Sequence, residues 1–333
     1  MNTPKKFLFL FLSILFYMPS AISSIKEQYP FASVVIWGHK IQSGHTHSWI
    51  HYAFYKAFRH LGYNTLWLDN NDVIAHIDFS NSLFITEGQV DQNIPKRADC
   101  RYILHNCTRP PYQSLFEQDN CLLLQVFTYD VLERDVREIA PFIFTDLKQR
   151  IMYMPWATDL LPHEIDQQKQ QVSLRKKSDI IYWVGTLCHG TFGNWEEITP
   201  FMTAAQNAGI RFQQHKDQNA HNCMTRIQQS YMAPAIVGTW QKEKGYIPCR
   251  IFKNISYGQM GITNSKAVSD LFEGKIVYNP NTYQLFFDAQ QKLATMDLQE
   301  LHKMMDFVRD HHTYITRIKQ LLGFMNDVKP IGH

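Results

Sequence analysis

The chain has 333 residues, 45% hydrophobic and 14% aromatic, with 33 Lys and Arg against 30 Asp and Glu, a formal net charge of +3. That length exceeds what one core usually fills, so two domains are expected, and the hydrophobic share excludes extended disorder. The charge is small and comes with no basic run or stripe, so no nucleic-acid partner is expected.

The N-terminus reads as a targeting segment over residues 1–23. Lys5 and Lys6 precede a twelve-residue apolar run, Phe7 to Met18, and small residues suited to cleavage lie near Ser23. A membrane span needs roughly 20 apolar residues, so a cleaved signal is favoured over an anchor. The protein is therefore expected to be exported, or membrane-associated through this segment. Export permits disulfides, and Cys100–Cys107 or Cys107–Cys121 are the pairs closest in sequence; free buried thiols are an equal reading. No Cys/His spacing resembles a zinc site. Asn106 and Asn254 each open a glycosylation triplet, which we discount because both fall where functional loops are expected.

Residues 30–160 alternate strand and helix patterns. Ser33 to Gly38 is a β-branched apolar run ending in glycine, the pattern of a buried parallel strand. A polar loop, His39 to His47, leads to a helix with Ser48 as its cap, closed by Leu61 and Gly62. Further strands are expected at Asn64–Asp69, Ser82–Thr86, Arg101–His105 and Leu122–Thr128, with a short helix over Asp72–Ile77. Ligands bind at the carboxyl ends of such strands. His45 and His47 after the first strand and Glu87 after the third are candidate general bases, because histidine titrates near neutrality and a carboxylate can take a hydroxyl proton.

Met152 to Pro162 is proline-bounded and reads as an interdomain crossing, followed by a charged surface segment. Asp179 to Leu187 restarts the strand pattern and ends in Gly185 and Thr186, before a glycine-rich loop, 188–193. A helix follows that Pro200 could interrupt, then strands Arg211–His215 and Pro234–Gly238 with a helix between them. The stretch YIPCRIFKNISYGQMGITN, Tyr246 to Asn264, places Arg250, Lys253 and Asn254 within one helical turn. Gly258 and Gly261 mark its exit, and Thr263 and Asn264 open the next loop. Arg250 offers a planar fork for diphosphate oxygens and Lys253 a point charge. A strand ends at Asn279, and one long amphipathic helix is expected over 297–325.

These pieces resemble the GT-B glycosyltransferases, and within them the group 1-like family. The resemblance covers Asp179 to Leu293 best: the strand DIIYWVGTL, the helix–glycine–strand stretch RIFKNISYGQMGITN, and VSDLFEGKIVYN with its following helix. It implies an α/β chain of two Rossmann-like domains facing across a cleft, an acceptor domain over 30–160 and a nucleotide-sugar domain over 161–296. It further implies a hexosyltransferase-like enzyme that moves a sugar from a nucleotide-diphosphate donor to a hydroxyl of a glycan, lipid or protein. The donor site would comprise Gly185, Thr186, Arg250, Lys253, Asn254, Gly258, Thr263 and Asn264, with His45, His47 or Glu87 at the acceptor. No metal or other cofactor is implied, since basic side chains offset the diphosphate charge. The two glutamates many relatives carry around this helix are replaced here by Gly245 and Lys253. Two other classes fit the same plan: an exported two-lobed ligand-binding protein and a non-hydrolysing sugar epimerase-like enzyme.

Overall fold

A computed structural model describes residues 25–40, 46–87, 93–105, 120–127, 136–174, 178–216 and 219–328. Residues 1–23, His45 and Cys107 lie outside that set. Among the described residues no helix is long and apolar enough to cross a membrane.

The first half builds an eight-stranded sheet in the order β2-β1-β3-β4-β5-β8-β7-β6. Five expected strands are present: β1 (Ser33–Trp37), β2 (Thr65–Leu68), β3 (Ser82–Glu87), β4 (Arg101–His105) and β5 (Cys121–Gln125). They pair in parallel, and β1 and β3 are buried along their whole length, as β-branched and aromatic runs demand in a sheet covered on both faces. Sequence reading missed the edge: β6 (Arg137–Ala140), β7 (Ile143–Asp146) and β8 (Ile151–Tyr153), with β7 antiparallel to both neighbours. Helix α1 (Thr46–His60) covers this sheet with Ile50, Phe54, Ala57 and Phe58 buried. It begins two residues before the expected cap Ser48, so His47 is helical. Glu87 likewise belongs to β3 rather than to the loop after it. Asp72–Ile77 forms turns, not a helix.

The second half holds β9 (Ile180–Val184), β10 (Arg211–His215), β11 (Ile262–Thr263) and β12 (Val277–Tyr278), paired in parallel as β10-β9 and β11-β12. The segment expected as a strand at Pro234–Gly238 makes only a single bridge, Ala235 to Thr263, and lies between the two pairs. The charged segment after the crossing folds into α2 (Pro162–Gln171), which buries only Ile165. Next come α3 (Trp195–Asn207), which tolerates Pro200, α4 (Ala220–Gln229), α5 (Thr239–Glu243) and α6 (Cys249–Ser256). Ile251, Phe252 and Ile255 of α6 are completely buried, and each contributes roughly 1.5–3 kcal/mol of burial. That anchors α6 by one face and leaves Arg250 and Lys253 on another.

Helices α7 (Lys266–Leu271) and α8 (Thr282–Thr295) follow, and the C-terminus is helical as expected but in two pieces. α9 (Leu298–His311) packs into the second core and α10 (Tyr314–Asp327) into the first. The break falls at His312 and Thr313, where the Thr313 hydroxyl caps the Thr316 amide. Here the chain returns beside its outward crossing: Thr158 N donates to the His312 carbonyl at 3.1 Å, and Arg317 Nε to the Pro155 carbonyl at 2.9 Å.

Cys100 is a free, buried thiol that donates to the Phe79 carbonyl; its expected partner Cys107 lies outside the described residues.

Candidate active-site cleft

A cleft of about 310 Å³ opens between the halves. Thr46 and Trp49 of α1 line it from one side, and Gly185, Thr186, Lys216, Arg250, Lys253 and Asn254 from the other. The loop after β9 contributes Cys188 and Phe192. Among the described residues that line this cleft there are cations but no carboxylate.

Arg250 sits in the first turn of α6. Its Nη1 donates to the Val184 carbonyl at 2.6 Å, and its guanidinium lies 3.9 Å from the centre of the Trp183 ring. Burial lowers its pKa to about 10, which leaves it charged at neutral pH. Among the described residues no carboxylate pairs with it. A partly desolvated guanidinium without a counter-charge suits an anionic ligand, which supplies what the fold does not. Gly185 (φ +125°) makes room for it: a Cβ there would stand 2.8 Å from Arg250 Nη2.

Lys253 lies one turn further along α6. Its Nζ is 4.7 Å from the centre of the Trp49 ring across the cleft and 3.7 Å from Asp159 Oδ2 behind it. Asp159 accepts the Tyr257 hydroxyl on both oxygens, at 2.7 and 2.8 Å. Burial, and then that carboxylate, hold the Tyr257 phenol well above its ordinary pKa, so it stays a donor. Asn254 is 2% exposed, which rules out its use as a folded-state glycosylation site; its Nδ2 donates to the Ala233 carbonyl, and its Oδ1 is buried without a hydrogen-bond partner among the described residues.

Three expected donor-site residues do not line the cleft. Gly258 packs against Val172, Thr263 donates to the Ala235 carbonyl, and Asn264 ties Val237 to Glu197 of α3. Each serves the fold. Trp49 and Lys216 are among the cleft residues that sequence reasoning passed over; a lone lysine past the end of a short strand was the only signal for the second.

Beside the cleft, the carboxyl ends of β1, β3 and β4 meet the first turn of α1. β1, β3 and β4 are adjacent, so His39, Glu87 and His105 come together at one sheet edge. Glu87 Oε2 bonds to His39 Nε2 and stands 2.8 Å from His47 Nδ1. Burial alone would raise the Glu87 carboxyl, but the bonds from His39 and His47 outweigh it and hold it well below the usual carboxylate range. Glu87 is therefore a buried, ionised acceptor. His47 and Glu87, proposed separately from sequence, are direct partners. His45 lies outside the described residues.

Behind them, burial lowers the His51 pKa to about 3 and that of His105 well below its ordinary value, so both rings are neutral. His51 Nδ1 donates to the Gly38 carbonyl at 2.8 Å, which leaves its Nε2 to accept from His105 Nε2 at 2.8 Å. His105 Nδ1 then carries a buried lone pair with no hydrogen-bond partner among the described residues.

No family model matches the chain, and no curated protein does. Among solved structures, an α-glucosyltransferase in complex with UDP and a 13-mer DNA containing a HMU base matches over 89% of this chain and 100% of its own. The identity is 10% and the TM-score 0.53. The fold is GT-B. A structure of trehalose-6-phosphate synthase also matches, at 12% identity over 85% of this chain and 80% of its own, but with a TM-score of 0.40 it carries no weight.

Proposed function

We propose that this protein is a glycosyltransferase that moves a sugar from a nucleotide-diphosphate donor to an acceptor hydroxyl. The observation that carries the reading is Arg250: a part-buried guanidinium, unpaired by any carboxylate among the described residues, in an interlobe cleft with Lys253 and Lys216. Such a cleft suits a diphosphate, whose charge grows as it leaves the sugar, so fixed cations stabilise the transition state more than the ground state. The similar α-glucosyltransferase binds UDP, which fits this assignment.

In this reading residues 161–296 hold the donor and 30–160 the acceptor. Arg250 and Lys253 neutralise the leaving diphosphate, and Gly185, Thr186 and Asn254 border it. His47, held by the ionised Glu87, is the group on the acceptor side that takes the hydroxyl proton. The acceptor is a glycan, lipid or protein encountered after export, or at a membrane reached through residues 1–23. Incubation with a panel of radiolabelled nucleotide sugars tests the activity: release or transfer of label supports it, and binding without turnover would favour an exported binding protein.

A further inference from the structure

The polar cluster at the carboxyl ends of β1 and β3 has a geometry that proton transfer does not require. His39 Nε2, His47 Nδ1 and Glu87 Oε2 all lie within 4.8 Å of one another. They come from three separate parts of the chain: the residue pair after β1, the first turn of α1, and the last position of β3. The side chains of His39 and Glu87 are 8% and 6% exposed, so their orientation is set by packing rather than by solvent. His39 holds a left-handed backbone (φ +53°), uncommon outside glycine, that turns its ring back over the sheet edge.

We propose that His39, His47 and Glu87 form a binding site for a divalent transition-metal ion of the zinc class. Two imidazoles and one carboxylate are a donor set that such ions take with a position left open, whereas calcium and magnesium prefer oxygen donors throughout. Donor atoms around a tetrahedral ion stand roughly 3.4 Å apart, given bonds of about 2.0–2.1 Å. Both imidazole nitrogens now stand closer than that to Glu87 Oε2, so the three side chains spread to admit an ion. On binding, each ring moves its proton to the other nitrogen, or sheds it if charged, and the Glu87 hydrogen bonds are replaced by bonds to the ion. Support for the ligands is already built. The neutral His51–His105 pair packs edge-on against them, with His51 5.4 Å from the His39 ring and His105 5.1 Å from the His47 ring. The Gly38 carbonyl, just before His39, is fixed by His51 Nδ1 and by Trp67 Nε1 at 3.0 Å. Beside them, the His105 Nδ1 lone pair is buried with no hydrogen-bond partner among the described residues.

The ion takes His47 and Glu87, the pair assigned above to the acceptor side, so an occupied site does not leave them as the proton acceptor; its binding is independent of the donor reading of Arg250. The test uses the full chain, stripped with a chelator and titrated with Zn2+ by calorimetry and with Co2+ by visible absorption. One ion per chain is expected, with a Co2+ spectrum of nitrogen and oxygen ligation at low coordination number. His39→Ala and Glu87→Gln are expected to weaken binding by more than about 100-fold, beyond the cost of losing an outer partner. Arg250→Ala should leave stoichiometry and spectrum unchanged, which separates this site from the donor cleft. Circular dichroism checks that each variant folds, and the wild-type Co2+ spectrum gives the ligand type and coordination number against which the variants are read. No stoichiometric binding by wild type, or equal binding by well-folded His39→Ala and Glu87→Gln, overturns the proposal.

Discussion

The Arg250 guanidinium fills the space that any side chain at position 185 would need, with Nη2 2.8 Å from the place of a Gly185 Cβ. One residue at the end of β9 and another at the start of α6 are thereby coupled. Gly185→Ala adds both this clash and strain at φ +125°. The expected loss of stability is about 1–3 kcal/mol, read by urea denaturation, with weaker nucleoside-diphosphate binding as Arg250 is displaced. Unchanged stability and binding would show that the arginine moves aside freely.

Tyr257 donates to both oxygens of Asp159, which in turn stands behind Lys253. Tyr257→Phe leaves a buried carboxylate short of its donor. Stability is expected to fall by about 1.5–3 kcal/mol, the range for a hydrogen bond to a charged group. Donor affinity should change far less, because Lys253 keeps its place over Trp49.

Much of the donor side was legible because it is local. Arg250, Lys253 and Asn254 share one short helix, and Gly185 and Thr186 end a strong strand pattern, so spacing alone brought them forward. Thr263 and Asn264 looked equivalent by proximity, but the two-residue strand β11 turns them toward Ala235 and Val237. The histidine cluster was only half legible. His47 and Glu87 stood out at strand ends, yet their pairing with His39 and His105 depends on β1, β3 and β4 lying side by side, a non-local fact. The His47 and His51 spacing of four on one helix face was a usable signal that went unread. The C-terminal break at Thr313 was hidden because apolar residues keep helical spacing on both sides of it.

His312 sits at that break, stacked 4.6 Å from the Phe252 ring and accepting on Nδ1 from Arg317 Nη2 at 2.9 Å. Burial, then the Arg317 charge, hold its pKa well below the ordinary histidine value. The unfolded chain protonates this ring near pH 6.5 and the folded chain only at lower pH, so between those points the unfolded state binds more protons. Stability from this group is full above about pH 6.5 and is lost as pH falls toward the folded value. A slope of up to about 1.4 kcal/mol per pH unit is expected in that window, and a smaller one in His312→Gln. Equal slopes in denaturation series from pH 7 to 5 would remove His312 as the cause.

Isothermal titration of UDP, and of other nucleoside diphosphates, into wild type and Arg250→Ala tests the reading of the cleft most directly. Removing the guanidinium should raise Kd by about 10- to 100-fold, the worth of a charge-assisted hydrogen bond, while the variant keeps its fold by circular dichroism. Equal affinity in the two proteins, or no binding of any nucleoside diphosphate by wild type, would contradict it.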